Sequence, residues 1–469
     1  MKTALIAVVL AYAIYFCRKS TTKISTVTKA KCPVATSSIF ENVRELSSNR
    51  LPFFFLDTMR KLQSDIFKIP LPFLPGGGFY VVGDHSVARA ILKDSNTDKP
   101  SFIYQPMATL VGGHNMFTFE TSNPKWHVAR KGIAPAFSSG EVRRMNSVCK
   151  TILSSWIDNE LDEKITMDES FDPSIEMTWL TFRVILEAAF EYSNPTRNEY
   201  SLFHKSLEDG IREFTRDGSD PIRKFYRFFL PSGQRAFQAT KNLREFAAKI
   251  LDSYRSNKNK SVNNTVIKLI ENNPHFSEEE KILEILTLLI GGHDTTGYML
   301  ANTMVLMAKY PDFAAKLKSD VEKYGVDESR YAKCVIQEST RVMPVSATGS
   351  VRCVGKDFIL KDGSIVISKG SNVWIPFIIM FRNEKYFEDP DTFNPDRWLN
   401  TTGTMKSTLI PFALGNRDCI GQRLANAEID HCVPYLFSKY KFELVEKGNP
   451  DYFLTLKYSG SKLKATKIT

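Results

Sequence analysis

The chain has 469 residues, 43% of them hydrophobic and 33 of them phenylalanine, enough for a sizeable buried core; with no internal repeat, low-complexity run or long linker it reads as one large domain after a short N-terminal segment. Its seven cysteines form no C-x-x-C pair, which argues against a disulfide framework or zinc ribbon and for a reducing compartment. A net charge of +10 suits nucleic acid, an anionic membrane or an acidic partner; no nucleic-acid motif is present, so the membrane is favoured.

Ala4 to Cys17 is apolar and is followed by Arg18, Lys19, Lys23, Lys29 and Lys31, with no acidic residue before Glu41. The run is shorter than the roughly 20 residues of a full span. It reads best as an anchor over residues 1–20 whose basic flank holds the rest in the cytosol. A cleaved signal or an organellar targeting segment is the alternative, because Ser/Thr/Lys-rich sequence without acids also suits transit peptides. Residues 21–50 read as a polar tether and 51–469 as the folded domain. A turn at Gly76–Gly78 leads into a short strand ending near Gly83, then a helix through Val87 to Lys93.

Trp126 and Arg130 lie four residues apart, on one helical face; a basic exposed helix would show the same spacing. Helical periodicity dominates from about 140 to 330, interrupted by a polar loop from Ser256 to Asn264. Between Pro221 and Pro231, Phe225, Tyr226, Phe228 and Phe229 are interleaved with Arg223, Lys224 and Arg227. Such a segment either packs its aromatics on the core or touches a membrane interface. Ser277 and Glu280 have capping-box spacing and open a helix that continues to Tyr310, about 50 Å at 1.5 Å per residue. In its middle stand Gly291, Gly292, His293, Asp294, Thr295 and Thr296. Two mid-helix glycines cost about 1 kcal/mol each relative to alanine. Close approach of a flat ligand would offset that cost, and so would tight helix packing. Thr295 can back-bond to a carbonyl and open the ladder.

Glu338 and Arg341 are i,i+3 neighbours on a helix, alone a weak signal, and Arg397 follows in a Phe393-to-Trp398 segment where it can grip the carboxylate bidentately. After residue 345 the chain turns β-rich (Ser350–Val354, Phe358–Leu360, Ser364–Ile367), so the fold is mainly α with a small β portion. Near the C-terminus Phe412, Gly415, Arg417, Cys419 and Gly421 fall in one ten-residue stretch. A lone cysteine is usually a small core hydrophobe, but these neighbours reverse that reading. Gly415 and Gly421 permit close approach and positive φ, so main-chain N–H groups can point at a sulfur. Phe412 can shield that sulfur and Arg417 can meet a carboxylate. Those are the needs of a thiolate on haem iron with a propionate nearby. His127 and His293 invite an imidazole-ligand reading, but neither has a ligand spacing.

The pattern F-x-x-G-x-R-x-C-x-G resembles the haem-binding loop of the cytochrome P450 family, and matching segments follow in family order from about Trp126 to Gly421. The resemblance implies the P450 fold and a haem b whose iron is held by Cys419. It implies that Thr295 hydrogen-bonds the bound oxygen and that Asp294 helps relay protons. Trp126, Arg130 and Arg352 would meet haem propionates. Glu338, Arg341 and Arg397 would hold the meander leading to the cysteine loop; Asp396 and Trp398 depart from the family's usual Glu and Phe, and the usual proline-rich hinge is reduced to Cys32-Pro33. The implied reaction inserts one atom of O2 into a lipophilic small molecule and makes water from the other. Its electrons would come from NADPH through an external flavoprotein reductase, or cytochrome b5, because no flavin or nicotinamide fingerprint is present. Docking near Arg417, Arg423 and Lys131 is expected by charge complementarity. The expected location is the endoplasmic reticulum membrane with the catalytic domain cytosolic, as in eukaryotic microsomal members, or else an organellar membrane. A haem-thiolate isomerase or dehydratase, or a non-catalytic haem protein, are the rivals; the acid–threonine pair argues against both. Substrate contacts are expected from about Ser101 to Phe119, from Phe203 to Pro231 and from the central helix.

Overall fold

A computed structural model describes residues 32–219, 223–258, 261–360 and 363–468. The expected anchor over residues 1–20 lies outside these residues. Among the described residues no helix is long and apolar enough to cross a membrane. The helices of eight residues or more are α1 Ile39–Leu46, α2 Leu51–Leu62, α3 His85–Lys93, α4 Ser101–Val111, α5 Pro124–Ile133, α6 Ser139–Trp156 and α7 Pro173–Phe190. They continue with α8 Arg197–Ser219, α9 Pro231–Ser256, α10 Glu278–Lys309, α11 Pro311–Tyr324, α12 Arg330–Val342 and α13 Gln422–Lys439. The expected mainly α architecture with small sheets is what forms.

The predicted central helix is α10, and its start is the expected capping box. Ser277 Oγ accepts from the Glu280 N–H, and the Glu280 carboxylate accepts from the Ser277 N–H at 2.9 Å. Two orphan donors are thereby satisfied, which fixes the first turn. The rest of α10 is buried against α7, α9, α12 and α13. At Gly297 an added Cβ would lie 2.6 Å from Thr178 Cα, so glycine there lets α7 and α10 pack backbone to backbone.

Strands β1 Ile66–Pro70, β2 Gly78–Val82, β3 Ser350–Cys353 and β6 Asn372–Ile375 form a sheet in the order β1-β2-β6-β3. Only the β2–β6 pair is parallel. Ile66, Val82, Val373 and Ile375 bury a second, smaller core beneath it. Between β3 and β6 lie the short pair β4 Phe358–Ile359 and β5 Val366–Ile367. Two further hairpin-like pairs close the chain: β7 Tyr440–Glu446 with β10 Lys462–Lys467, and β8 Asn449–Phe453 with β9 Thr455–Ser459. β9 docks on α10 through Asn302, whose side chain donates to Leu456 O and accepts from the Tyr458 N–H.

Two expectations need correcting. The folded part begins before residue 51: Val34 bridges to Lys68, the Lys68 N–H donates to Pro33 O, and α1 occupies much of the expected tether. The aromatics of 223–231 do not pack on the core either. Phe225 is 75% exposed, Phe228 68% and Phe229 83%. The intervening Arg227 instead pairs with Asp217 on α8, which leaves the rings outward.

Candidate functional site

The cysteine loop is shaped by backbone geometry before any cofactor is considered. Gly415 sits at φ +79°, and a Cβ there would come within 2.3 Å of Leu92 O on α3, so glycine is required twice over. Ala413 also takes a positive φ, +59°. Gly421, expected to need positive φ, has −83°; it is the residue before the first turn of α13. The loop closes through the Cys419 N–H donating to Phe412 O at 2.9 Å. The N–H groups of Gly421 and Gln422 point at the Cys419 sulfur and pull its thiol down, as does Arg130, while burial pushes it up more strongly. Cys419 is exposed, even though the surrounding protein desolvates its thiol.

Around this loop gather several basic side chains. Arg352 on β3 is 2% exposed and its Nη1 donates only to Val351 O. Arg417 donates to the carbonyls of Met116 and Phe119 and lies 4.6 Å over the ring of buried Trp126. Burial, followed by the charge of Arg352, pushes Arg417 down to about 9. Lys99 is buried as well and donates to Phe117 O; burial and the two arginines hold it well below the usual lysine range. Asp98 is the carboxylate beside them, but its oxygens accept from the N–H groups of Lys99, Thr121 and Ser122. Among the described residues none of Lys99, Arg352 and Arg417 makes an ion pair. Desolvated cations need a counter-charge. A ligand bringing two carboxylates fits this cluster, and haem brings two. Arg130 stands apart: Asp418, next to the cysteine, takes up its guanidinium through both its main-chain and side-chain oxygens. Lys99 escaped the sequence reading because a lone lysine in a loop carries no motif; only its burial marks it.

On α10 the two glycines have different surroundings. Gly292 packs on Ile185, 2.9 Å from an added Cβ, whereas an added Cβ at Gly291 meets nothing within 4 Å. Gly291 and Thr295, one turn apart, are the exposed positions in this part of an otherwise buried helix. Thr295 Oγ1 donates to Gly291 O at 2.7 Å, the expected back-bond, and the helix nevertheless runs through unbroken. Asp294 points the other way. It is 6% exposed, accepts from Thr455 Oγ1 at 3.3 Å, and burial pushes its carboxyl up against the pull of Lys457 and His204. Thr455 and Lys457 are delivered by β9, a strand the sequence reading did not anticipate.

Glu338 and Arg341 are both fully buried. Arg341 grips the carboxylate with two bonds of 2.8 Å and donates onward to the carbonyls of Phe381, Pro390 and Thr392. Arg397 reaches Glu338 through Nε alone, at 3.0 Å, so the bidentate grip belongs to Arg341. The two departures from the family pattern have their own partners. Trp398 donates its indole N–H to Glu338 at 2.8 Å, and Asp396 binds Lys316 and the Tyr331 hydroxyl. Glu338 thus ties α12 to the segment that runs into the cysteine loop.

A sequence model of the cytochrome P450 family matches residues 39–467. Similar proteins include the probable cytochrome P450 508C1 of Dictyostelium discoideum, 25% identical over 67% of this chain and 70% of its own length. Cytokinin hydroxylase of Arabidopsis thaliana is 27% identical over 71% of this chain and 68% of its own. The probable cytochrome P450 6d5 of Drosophila melanogaster is 21% identical over 70% and 72%. With a match that spans nearly the whole described chain, this protein belongs to the cytochrome P450 family, whose members are generally monooxygenases that carry haem on a cysteine thiolate.

Proposed function

We propose that this chain is a haem-thiolate monooxygenase that inserts one atom of O2 into a lipophilic small molecule, with electrons from NADPH through an external flavoprotein reductase. The observation that carries the reading is the Cys419 sulfur, exposed and approached by two N–H groups, beside buried Arg352 and Lys99 and half-buried Arg417, none of which is in an ion pair among the described residues. Cys419 would hold the iron of haem b, and Arg352, Arg417 and Lys99 would offset its propionates. Phe412 would screen the sulfur and Trp126 would back Arg417. When bound, a haem with a thiolate ligand supplies oxygen binding and O–O cleavage. Thr295, exposed beside the bare backbone of Gly291, would position a hydroxyl at the oxygen side. Asp294, whose carboxyl burial pushes above its ordinary value, would hold and release protons toward it. Arg130 would brace the cysteine loop through Asp418, and Glu338, Arg341 and Arg397 would anchor the approach to it.

The acid–threonine pair favours oxygen insertion over isomerisation or simple haem carriage, neither of which consumes protons. Membrane attachment, at the endoplasmic reticulum or an organelle, is supported by the apolar and then basic N-terminal sequence and by the outward aromatics of 223–229 among arginines. Arg417 is too enclosed to meet a reductase, so the docking surface would rely on exposed Arg423 and Lys131. Purified protein, reduced and exposed to carbon monoxide, should give the absorption of a sulfur-ligated porphyrin, and Cys419→His should lose it while still binding haem. A parent protein without that absorption would overturn the assignment.

A further inference from the structure

His204 on α8 and the adjacent pair His293 and Asp294 on α10 come together away from the cysteine loop, with one ligating atom from each within 4.8 Å of the other two. His293 Nδ1 lies 3.1 Å from Leu289 O. A carbonyl only accepts, so Nδ1 carries the proton and Nε2 is left with a bare lone pair. That nitrogen belongs to a fully buried side chain, has no hydrogen-bond partner, and stands 4.0 Å from Asp294 Oδ1. An unpartnered lone pair in the core is costly, and an imidazole oriented by a backbone carbonyl through its other nitrogen is arranged as metal-binding imidazoles are. His204 brings a second imidazole, whose Nδ1 is also buried without a partner. Burial lowers both histidines, His293 to about 4, so both offer lone pairs at neutral pH. Asp294 supplies the negative charge, and its second oxygen is already held by Thr455.

Two cations face the same cavity and oppose a metal there. Lys457 is engaged by the Tyr298 hydroxyl at 2.7 Å and by Glu208 at 3.6 Å, and Arg212 lies over the Phe453 ring at 4.8 Å. Their charges are therefore partly committed elsewhere. Two neutral imidazoles and one carboxylate with room for a water suit Zn2+, whose ligands sit at about 2.0–2.2 Å. The present spacing would have to contract by about 1 Å, and His204, the least buried of the three, would make that move from its stack on Tyr200.

We propose that His204, His293 and Asp294 form a Zn2+ site, and that its occupation withdraws Asp294 from proton delivery. The second half rests on the role given to Asp294 above; the site itself does not. Zn2+ titrated into the haem-loaded full chain should bind one-to-one by calorimetry. X-ray absorption at the zinc edge should then show two imidazole nitrogens and a carboxylate oxygen. His204→Ala should weaken binding about tenfold or more, and His293→Gln should abolish it. Zn2+ should lower the product formed per NADPH in the parent but not in His204→Ala. Absence of one-to-one binding, an affinity unchanged in His204→Ala, or a zinc spectrum without imidazole would overturn the site. Binding as described with coupling unaltered would leave the site standing and overturn the proton role of Asp294.

Discussion

Thr295 and Asp294 are adjacent in sequence and face opposite surroundings, the hydroxyl at an exposed position and the carboxyl in the core. The helix is not held together by Thr295, because its Oγ1 only back-bonds to Gly291 O. Thr295→Ala should therefore keep haem and fold, while product per NADPH falls about tenfold or more and peroxide rises to match; unchanged coupling would refute the assignment. Glu284, in the second turn of α10, makes a different prediction. Its Oε1 accepts from the Met116 N–H at 2.7 Å, its Oε2 has no partner, and burial pushes its carboxyl up to about 8. An acid raised in the folded state stays protonated there while the unfolded chain gives up its proton. Stability contributed by this group is present below the ordinary glutamate value of about 4.3 and is lost as pH climbs to about 8. Glu284→Gln keeps an acceptor for Met116 and cannot ionise. Its thermal midpoint should gain on the parent's as pH rises from about 4.3 to about 8 and hold level above that; a gap independent of pH would overturn the reading.

At the scale of elements, the network around Glu338 joins α12 to the segment that leads into the cysteine loop. Removing one partner of a fully buried ion pair typically costs about 3–5 kcal/mol, because the other charge is left without compensation. Arg341→Leu takes the two-bonded partner from Glu338, leaving it Arg397 and Trp398, and also frees the carbonyls of Phe381, Pro390 and Thr392. We expect little haem-loaded protein, measured as haem absorbance per chain, and normal loading would contradict the structural role. The Glu338–Arg341 pair was legible from its i,i+3 spacing, as was α10 from its capping box and glycines, because those signals are local. The C-terminal strands were harder. Pro450 inside β8 argues against a strand by sequence, and β7 finds its partner β10 only across the intervening β8–β9 pair. Yet that pair carries Thr455 and Lys457 to Asp294. The cation cluster was half legible: Arg352 and Arg417 stand in recognisable segments, whereas Lys99 and the lack of a counter-charge exist only in three dimensions.

For the whole molecule, a net charge of +10 works in two places that should not be confused. Some cations are internal: Arg352 and Lys99 are buried and Arg417 is half-buried and desolvated, so they steer a partner poorly. Others lie on the surface. Arg423 at the first turn of α13 and Lys131 on α5 are exposed, and among the described residues neither is in an ion pair. Both belong to helices that flank the cysteine loop, Lys131 beside Arg130 and Arg423 four residues after Cys419, so a partner attracted to them would arrive close to the haem edge. Surface attraction of this kind falls off over a Debye length, about 10 Å at 0.1 M salt and 3 Å at 1 M, whereas the buried cations are little screened. Raising ionic strength should therefore slow electron transfer from a flavoprotein reductase several-fold, with the carbon monoxide spectrum unchanged. Charge reversal at both exposed positions, Lys131→Glu with Arg423→Glu, should slow the transfer at low salt and flatten its salt dependence. A transfer rate indifferent to salt in the parent, or a salt dependence undiminished in the double variant, would move the docking surface elsewhere on the molecule.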